Sequence, residues 1–215
     1  MKLKPSQALT PLEMPKRLVR KTRFLTGSMV SGVEPLTKQQ IRSKIILKLK
    51  IQKEEDRNKK SSIITDKLFG ASVFKKAKIV MFYVSFNGEV NTQDMIKAAK
   101  RLGKIVVVPV CKRHRVTLWP CILQDKAKFK KGPYGICEPA VKKFINPQDL
   151  DLVIVPGIAF DKKGNRLGRG KGCYDYFLKS LTQKTISIGL AFDFQILPSI
   201  PATQTDVKVH RVISN

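Results

Sequence analysis

The chain has 215 residues, of which 42% are hydrophobic, and these values fit one domain with a substantial apolar core and argue against disorder. Its 42 lysines and arginines outnumber 16 acidic residues, and the net charge of +26 favours either nucleic acid or a polyanionic ligand. No apolar run approaches the roughly eighteen residues needed to cross a bilayer, so we expect a soluble protein without a membrane partner.

Residues 1–34 differ in composition from the rest of the chain. Prolines interrupt any long helix, lysines and arginines make the segment basic, and the apolar core of a secretory signal is absent. We predict a basic, disordered N-terminal extension over residues 1–34 and a single domain over residues 35–215. Four cysteines without CxxC spacing indicate reduced thiols and a cytoplasmic location, and a mitochondrial presequence over residues 1–34 is the alternative.

Two helices are predicted at the start of the domain. Thr37 and Gln40 form a capping-box pattern, which marks the beginning of a helix. The apolar stripe of this helix repeats at every fourth residue and consists of Ile41, Ile45 and Leu49. A second helix is predicted over residues 54–70, with its end at Gly70.

Four short apolar runs predict strands: Lys78–Phe86, Lys104–Cys111, Leu152–Pro156 and Thr185–Phe192. Three of them are nearly continuous Val, Ile and Leu, which is typical of parallel strands covered on both faces. A helix over Thr92–Leu102, ended by Gly103, is predicted to connect the first two strands. This alternation predicts an α/β sandwich around a mostly parallel sheet, with ligands beyond the carboxyl ends of the strands.

The segment from Leu152 to Leu178 combines a strand, a loop rich in glycines and cations, and a helix. The loop glycines are Gly164, Gly168, Gly170 and Gly172, and the cations among them are Arg166, Arg169 and Lys171. The helical spacing that follows consists of Tyr174, Phe177, Leu178 and Leu181. Glycines let backbone N–H groups approach an anion, and cations supply charge, so this pattern predicts a nucleotide-phosphate site.

The two common phosphate motifs do not fit this loop. A Walker A loop requires glycine five residues before Gly170 and Ser or Thr after Lys171, but those positions are Asn165 and Gly172. A dinucleotide fingerprint would require glycine at position 173, which is Cys173. A glycine-rich hairpin or a flexible basic loop is the structural alternative.

Several motifs resemble the 5-formyltetrahydrofolate cyclo-ligase, or methenyltetrahydrofolate synthetase, family. The most specific is PGIAFDKKGNRLGRGKGCYDYFL over residues 156–178. The others, in the same order along the chain, are Lys38-x-x-x-Arg42, residues 83–92, Gly132-x-x-Gly135-Ile136-x-Glu138-Pro139 and Ala191-Phe192-x-x-Gln195. The resemblance covers residues 36–214 and implies a three-layer Rossmann-like fold.

The resemblance also implies a reaction. Family members use ATP and Mg²⁺ to convert 5-formyltetrahydrofolate to 5,10-methenyltetrahydrofolate, releasing ADP and phosphate through an iminium phosphate intermediate. We expect the chain to act as a monomer in one-carbon metabolism. Its basic surface would favour folate with a polyglutamate tail.

The family motifs map onto named positions of this sequence. Those implied for ATP are Lys38, Arg42, Arg166, Leu167, Gly168, Arg169, Gly170, Lys171, Gly172, Cys173 and Tyr174. Those implied for the folate substrate are Val84, Glu89, Arg169, Gly170, Lys171, Gly172 and Cys173. Arg169 and Lys171 are the implied catalytic residues, and Asp175 and Asp206 are the implied Mg²⁺ ligands. Candidates for a pterin slot are Tyr83, Phe86, Trp119 and Tyr134.

Two departures from the family pattern keep other functions open. Cys173 replaces the usual aromatic residue, and His210 stands where an acid is common. A non-catalytic homologue that binds folate or nucleotide is therefore one alternative. A basic RNA-binding protein is another, although the dispersed cations lack the stacking aromatics of RNA modules, so we expect no dedicated nucleic-acid partner. The lone His114 and His210 predict neither a metal site nor a nucleophile partner.

Overall fold

The computed structural model describes residues 36–111, 117–125, 127–132, 135 and 137–215. The predictions made for residues 1–34, His114 and Tyr134 lie outside these residues. Within the described part of the chain, no helix is long and apolar enough to span a membrane.

The helices are α1 (Lys38–Ile51), α2 (Glu54–Gly70), α3 (Ser72–Lys76), α4 (Gln93–Arg101) and α5 (Cys173–Lys179). The predicted capping box is present, because the Thr37 hydroxyl accepts from the Gln40 N–H while the Gln40 side chain accepts from the Thr37 N–H. The predicted start and the predicted buried stripe of α1 are confirmed, as are the predicted bounds of α2. Helix α3 was not predicted, because five residues are too few to show a period.

The strands are β1 (Ile79–Met81), β2 (Ile105–Cys111), β3 (Leu118–Ile122), β4 (Phe129–Lys131), β5 (Cys137–Pro139), β6 (Leu152–Val155), β7 (Ala159–Asp161), β8 (Arg166–Leu167), β9 (Ile186–Ala191), β10 (Ile196–Leu197) and β11 (Arg211–Ser214). Six of them form the main sheet in the order β11-β9-β6-β1-β2-β3. All of its neighbours are parallel except β2 and β3. A small sheet has the order β10-β7-β8, and β4 pairs with β5.

The core lies on both faces of the main sheet. Along β6, Leu152 and Ile154 pack into one apolar cluster while Val153 and Val155 pack into the other. The first cluster receives the buried faces of α1 to α4, and the second receives Phe177 from α5. Helices therefore cover both faces, which confirms the three-layer α/β fold and explains why the strand runs are continuously apolar.

Two predicted bounds are wrong. Only Ile79–Met81 of the predicted strand Lys78–Phe86 form a regular strand, because the chain then leaves the sheet and turns at Asn87 and Gly88, both with positive φ. Helix α5 ends at Lys179, two residues before Leu181.

Strands β2 and β3 form an antiparallel pair that contains Cys111 and Cys121. Cys111 is partly buried, whereas Cys121 is fully buried. The three cysteines with described side chains, Cys111, Cys121 and Cys173, are free thiols.

The predicted glycine-and-cation loop contains regular structure. Its first part is the antiparallel hairpin of β7 and β8, with Gly164 in the turn at φ 80°. A Cβ at Gly164 would lie 2.3 Å from the Val209 carbonyl oxygen, so the turn requires glycine. Residues 168–172, between β8 and α5, form the connection that carries the remaining glycines, so the hairpin alternative and the phosphate-loop prediction describe adjacent parts of one segment.

Candidate functional site

A cavity of about 790 Å³ lies beside the carboxyl ends of β1 and β6. The chain leaves β1 towards β2 on one side, whereas β6 lies on the other side, so strand order reverses between them. Such a switch point is where open α/β sheets bind ligands. Residues that follow β1, including Phe86 and Glu89, and residues that follow β6, including Gly157, line the cavity.

The cavity brings together almost all of the predicted site residues. They are Lys38, Arg42, Glu89, Arg166, Leu167, Gly168, Arg169, Gly170, Lys171, Gly172, Cys173, Tyr174, Asp175 and Asp206. Val84 is the exception among the described candidates, because it packs against the apolar core beneath the sheet. Of the predicted pterin-slot aromatics, Phe86 lines the cavity, whereas Tyr83 is buried in the core and Trp119 packs against Phe144.

Helix α1 supplies two cations to the cavity from one face. The Arg42 Nε donates to the Gly168 carbonyl at 2.9 Å, and the Lys38 Nζ lies 2.5 Å from the Asp206 carboxylate. Side chains four residues apart on a helix are neighbours, so the spacing of Lys38 and Arg42 places both beside the glycine segment. The start of α1 is thereby tied to two distant parts of the chain.

Arg166 forms a buried link across the back of the cavity. Its Nη2 donates to the Asp175 Oδ1 at 2.9 Å, and the same oxygen accepts from the Val207 N–H at 3.1 Å. These contacts join β8, α5 and the segment that precedes β11. Asp175 therefore organises the site as well as lining it.

Two buried polar atoms beside the cavity have no hydrogen-bond partner among the described residues: the Arg166 Nε and the Tyr174 hydroxyl. The guanidinium lies 5.7 Å from the centre of the Tyr174 ring. Burial, followed by the charge of Glu89, raises the pKa of Tyr174, so its hydroxyl stays protonated and is available as a donor. Because buried polar groups are normally paired, both atoms indicate a place for polar ligand atoms.

The loop that follows β1 carries Phe86 and Glu89, and the Arg169 side chain contacts both of them. The Arg169 guanidinium donates to the Glu89 Oε1 at 2.9 Å and lies 4.4 Å from the centre of the Phe86 ring. Burial raises the pKa of Glu89, while its hydrogen bond and ion pair with Arg169 act in the opposite direction. The turn between Phe86 and Glu89 depends on Gly88, where a Cβ would lie 2.2 Å from the Leu49 carbonyl oxygen.

The glycines between β8 and α5 have a conformational reason to be there. Gly170 and Gly172 have φ values of 103° and 68°, a region that side chains with a Cβ rarely adopt. A Cβ at Gly168 would lie 2.7 Å from the Arg166 Nη1. The backbone at Gly168 can thus pass close to the Arg166 guanidinium because it carries no side chain there.

Asp175 lies near Asp206, because its carboxylate accepts a hydrogen bond from the backbone N–H of Val207, the residue that follows Asp206. The contacts of Asp175 use Oδ1 and those of Asp206 use Oδ2. The second oxygen of each carboxylate has no hydrogen bond or ion pair with any described residue. No group of three or more His, Cys, Asp or Glu side chains that could hold a metal ion occurs among the described residues, so a cation here would also need ligands from water or substrate.

Sequence reasoning missed several cavity residues, including Cys111, Leu118, Tyr176, Lys179, Thr203 and Thr205. The Thr203 N–H and hydroxyl both donate to the Asp206 Oδ2, at 2.7 and 2.9 Å. A threonine three residues before an aspartate was the available signal. Tyr176 and Lys179 gave no signal beyond their place on α5.

The cysteine and histidine departures have structural explanations. Burial raises the pKa of Cys111 to about 11 and also raises that of Cys173, which favours packing over reactivity for both thiols. The His210 Nδ1 accepts from the Ser187 N–H at 3.1 Å on an edge of the sheet away from the cavity. Neither histidine nor cysteine chemistry is needed to describe the site.

Comparison with known proteins gives a consistent result. A model of the 5-formyltetrahydrofolate cyclo-ligase family matches residues 35–215. The 5-formyltetrahydrofolate cyclo-ligase of Mus musculus is 32% identical over 187 residues, which cover 82% of this chain and 92% of the mouse protein. The protein of the same name from Haemophilus influenzae is 35% identical over 146 residues, covering 65% of this chain and 76% of that protein.

Solved structures resemble the fold. The NMR structure of 5,10-methenyltetrahydrofolate synthetase from Aquifex aeolicus matches with a TM-score of 0.73 at 32% identity, over 82% of this chain and 88% of that chain. A 5,10-methenyltetrahydrofolate synthetase from Mycoplasma pneumoniae matches with a TM-score of 0.69 over 83% of this chain and 99% of its own. Its identity is 22%, so this second likeness concerns the fold alone.

Proposed function

Because the family model matches residues 35–215, the chain belongs to the 5-formyltetrahydrofolate cyclo-ligase family, and we propose that the cavity described above is its active site. The chain is accordingly an ATP-dependent ligase that converts 5-formyltetrahydrofolate to 5,10-methenyltetrahydrofolate in one-carbon metabolism. The observation that supports the site assignment is the convergence of the cations, glycines and carboxylates of separate family motifs in one cavity.

The formyl oxygen of 5-formyltetrahydrofolate is a poor leaving group, so it has to be activated before the ring can close. The formyl oxygen of the substrate attacks the γ-phosphorus of ATP and ADP leaves, which converts that oxygen into a phosphate ester. The neighbouring folate nitrogen then attacks the formyl carbon and loses its proton. The carbon–oxygen bond breaks, phosphate departs, and the ring closes. Both steps depend mainly on alignment and on cations around the phosphoryl oxygens.

In this proposal, the cations of the cavity have different roles. Arg169 and Lys171 stabilise the charge on the transferred phosphoryl group, and Lys38 and Arg42 hold the nucleotide phosphates. Both nucleotide and folate contact one wall of the cavity, which is formed by Leu167, Gly168, Gly170, Gly172, Cys173 and Tyr174. The buried Arg166 Nε and Tyr174 hydroxyl supply donors for phosphate or folate oxygens, because they have no partner among the described residues.

Glu89 recognises the folate. Its carboxylate lies just beyond β1, is buried, and is oriented by Arg169. A carboxylate accepts from the donor groups of a pterin ring, and the adjacent Phe86 offers an apolar face for that ring.

Asp175 and Asp206 would hold a Mg²⁺ ion. Each keeps one carboxylate oxygen without a hydrogen bond or ion pair to a described residue. Mg²⁺ in phosphate sites takes one or two carboxylates together with water and phosphate oxygens. The ion would neutralise charge on the phosphates and help to align them. Thr203 and Val207 orient the two carboxylates through their backbone N–H groups.

The assignment is tested by incubating the purified protein with 5-formyltetrahydrofolate, ATP and Mg²⁺. We expect an ATP-dependent rise in the near-ultraviolet absorbance of the methenyl product. Lys171→Ala should lower kcat/KM by roughly a hundredfold or more, because it removes charge from the transition state. Lys162→Ala is the matched control, since Lys162 is an exposed lysine of the same segment outside the cavity and should retain activity.

Two results would contradict the proposal. If no product forms at saturating ATP, the chain is a binding homologue that has lost turnover. If the Lys171→Ala variant is as active as the Lys162→Ala variant, the catalytic role assigned to Lys171 is wrong.

A further inference from the structure

The turn over residues 86–89, here called the folate turn, carries the two residues proposed to contact the pterin ring. It is tight, because Asn87 and Gly88 both have positive φ and the Glu89 N–H donates to the Phe86 carbonyl at 3.2 Å. The Phe86 N–H donates in return to the Glu89 Oε2 at 3.3 Å. The turn is therefore a small unit, and a contact that fixes its backbone also fixes the Phe86 ring and the Glu89 carboxylate.

The two ends of the loop that contains the folate turn are held in place at its base. The Thr92 hydroxyl donates to the Tyr83 carbonyl at 2.6 Å and accepts from the Ser85 N–H at 3.1 Å. The Asn91 N–H donates to the Oγ of Ser61, a buried residue of α2, at 3.1 Å. These contacts fix the point from which the folate turn begins, but they do not fix the direction in which its tip points.

Two described residues outside the folate turn donate hydrogen bonds to it. Arg169 donates to the Glu89 carboxylate, and the Gln52 Nε2 donates to the Gly88 carbonyl at 3.3 Å. Arg169 lines the cavity and is also proposed to contact the transferred phosphoryl group, so its position depends on the nucleotide. Gln52 is the C-cap residue of α1 and lies outside the set of residues that line the cavity.

Helix α1 gives Gln52 a fixed base. The apolar stripe of this helix, which ends at Leu49, is buried in the core. The last turn of α1 also lies directly against the folate turn, since the Leu49 carbonyl oxygen leaves no room for a Cβ at Gly88. The Gly88 backbone thus packs against the end of α1 and receives the Gln52 amide at its carbonyl oxygen.

We infer that Gln52 is a positioning residue for the folate substrate, an inference that rests on the proposed function. The Gln52 amide holds the Gly88 carbonyl, so the folate turn presents the Glu89 carboxylate to the cavity in one orientation. Without this hydrogen bond, Arg169 is the described residue that still holds the tip, and the turn can shift. Folate binding then weakens, because hydrogen bonds between a carboxylate and ring donors depend steeply on distance and angle.

The loss of the Gln52 amide should spare the nucleotide. The ATP candidates of α1 are Lys38 and Arg42, which lie towards the other end of the helix, about 15 Å or more from Gln52 along its axis. The buried stripe holds the part of the helix between them in the core. The contribution of Gln52 is therefore expected in the KM for one substrate and not in the KM for the other.

The test compares Gln52→Met with the parent protein in steady-state assays of methenyl product formation. Methionine has a side chain of similar length that cannot donate a hydrogen bond. The KM for 5-formyltetrahydrofolate should rise roughly threefold to tenfold, as expected for one lost hydrogen bond, while the KM for ATP changes by less than about twofold. Gln39→Met is the matched control, because Gln39 is an exposed glutamine of the same helix outside the cavity, and both of its KM values should equal those of the parent.

A second variant separates the hydrogen bond from the bulk of the side chain. Gln52→Lys restores a donor on a long, flexible stem, so its KM for 5-formyltetrahydrofolate should return to within about twofold of the parent value. Gln39→Lys adds the same charge to the same helix and should leave this KM unchanged, which distinguishes the restored donor from attraction between lysine and an anionic substrate. Circular dichroism and urea unfolding confirm that each variant is folded.

The outcomes separate the inference from the function on which it rests. If Gln52→Met has the same folate KM as Gln39→Met, or raises both KM values together, Gln52 does not position the folate and the inference is overturned while the site assignment stands. If Gln52→Lys is no better than Gln52→Met, the hydrogen bond is not the cause and the inference is again overturned. If the parent protein forms no product, the proposed function is refuted and the inference falls with it.

Discussion

Arg169 has two partners that make different demands on it. Its guanidinium is paired with Glu89 and lies over the Phe86 ring, which fixes its plane. The same side chain is proposed to meet a phosphoryl group, so the pair keeps Arg169 oriented at the mouth of the cavity. Arginine suits this arrangement because its planar fork can stack and donate to an anion at once.

Glu89 should make stability depend on pH. Burial raises its pKa above the usual 4.5, so between 4.5 and the raised pKa the unfolded chain releases the proton while the folded protein still holds it. The free energy of unfolding contributed by Glu89 is therefore complete below pH 4.5 and is lost as the pH rises through the raised value. Urea unfolding of the parent and a Glu89→Gln variant, at steps from about pH 4 to 8, should show Glu89→Gln gaining stability relative to the parent as pH rises.

Variants of Arg169 provide the control for this pH dependence. The ion pair with Arg169 lowers the pKa of Glu89, so Arg169→Met should extend the loss of stability to higher pH. Arg169→Lys keeps the charge and should change the curve less. A difference between the parent and Glu89→Gln that is constant with pH would contradict the assignment.

At the residue scale, local spacing predicted the glycine-and-cation loop, and the family resemblance supplied the other candidate site residues. Lys38 and Arg42 came from the resemblance, because two cations four residues apart on a helix face are by themselves more often solvated surface residues, whereas the glycines were predictable because backbone freedom has few other sources. The partners of these residues were not predictable. The Lys38–Asp206 contact joins residues 168 positions apart, and only the fold brings them together.

The hairpin of β7 and β8 is the element that positions the cations proposed for the active site. Asp161 organises its turn, because Oδ1 accepts from the N–H groups of Lys163 and Asn165, both at 2.9 Å. Its Oδ2 accepts from the Asn165 side chain at 2.7 Å and from the Ile200 N–H at 3.2 Å. One buried carboxylate thus joins the hairpin to the segment that leads towards Asp206.

Replacing Asp161 should weaken both fold and site. Burial alone would raise the pKa of Asp161, but the hydrogen bonds from Asn165 and the neighbouring backbone outweigh it and lower the pKa. The stability that Asp161 contributes is therefore present above its unfolded pKa and is lost as the pH falls through the lowered folded value. Asp161→Asn should lower the free energy of unfolding at neutral pH by about 1–3 kcal/mol, because an amide nitrogen cannot accept these donors, and should raise the KM for ATP.

The matched control is Asp66→Asn, an exposed carboxylate on α2 outside the cavity. Urea unfolding should place it within about 0.5 kcal/mol of the parent protein. If Asp161→Asn has the same unfolding midpoint as Asp66→Asn, the hairpin does not depend on this carboxylate.

At the element scale, the length of each helix or strand determined whether it could be predicted from the sequence. Helices α1 and α2 have 14 and 17 residues, enough to show a capping box or a clear stop at glycine. Strands β7, β8 and β10 have two or three residues each, so no alternation can be seen in them. They pair with one another through residues such as Phe160 and Ile196, which are distant in sequence.

At the scale of the whole molecule, the chain has a large excess of positive charge, and the cavity is proposed to bind anionic ligands. The net charge of +26 belongs to the full chain, and the described cavity itself contains Lys38, Arg42, Arg166, Arg169, Lys171 and Lys179. A field of this sign concentrates anionic ligands near the protein and is screened by salt over roughly 8–10 Å. The fold places these cations at the carboxyl ends of the strands, where the sheet opens.

The charge distribution leads to a prediction about the folate tail. We expect a lower KM for 5-formyltetrahydrofolate that carries several glutamates than for the monoglutamate, because each added carboxylate is attracted by the field around the cavity. Since the attraction is screened, the ratio of the two KM values should approach one as NaCl rises from about 20 mM to 500 mM. Adding a neutral osmolyte at a fixed NaCl concentration of about 20 mM should leave the ratio unchanged. Steady-state assays at fixed ATP and Mg²⁺ measure both ratios. Equal KM values at low salt would show that the tail extends away from the charged surface, and a preference that persists at high salt would indicate a specific tail site instead of a long-range field.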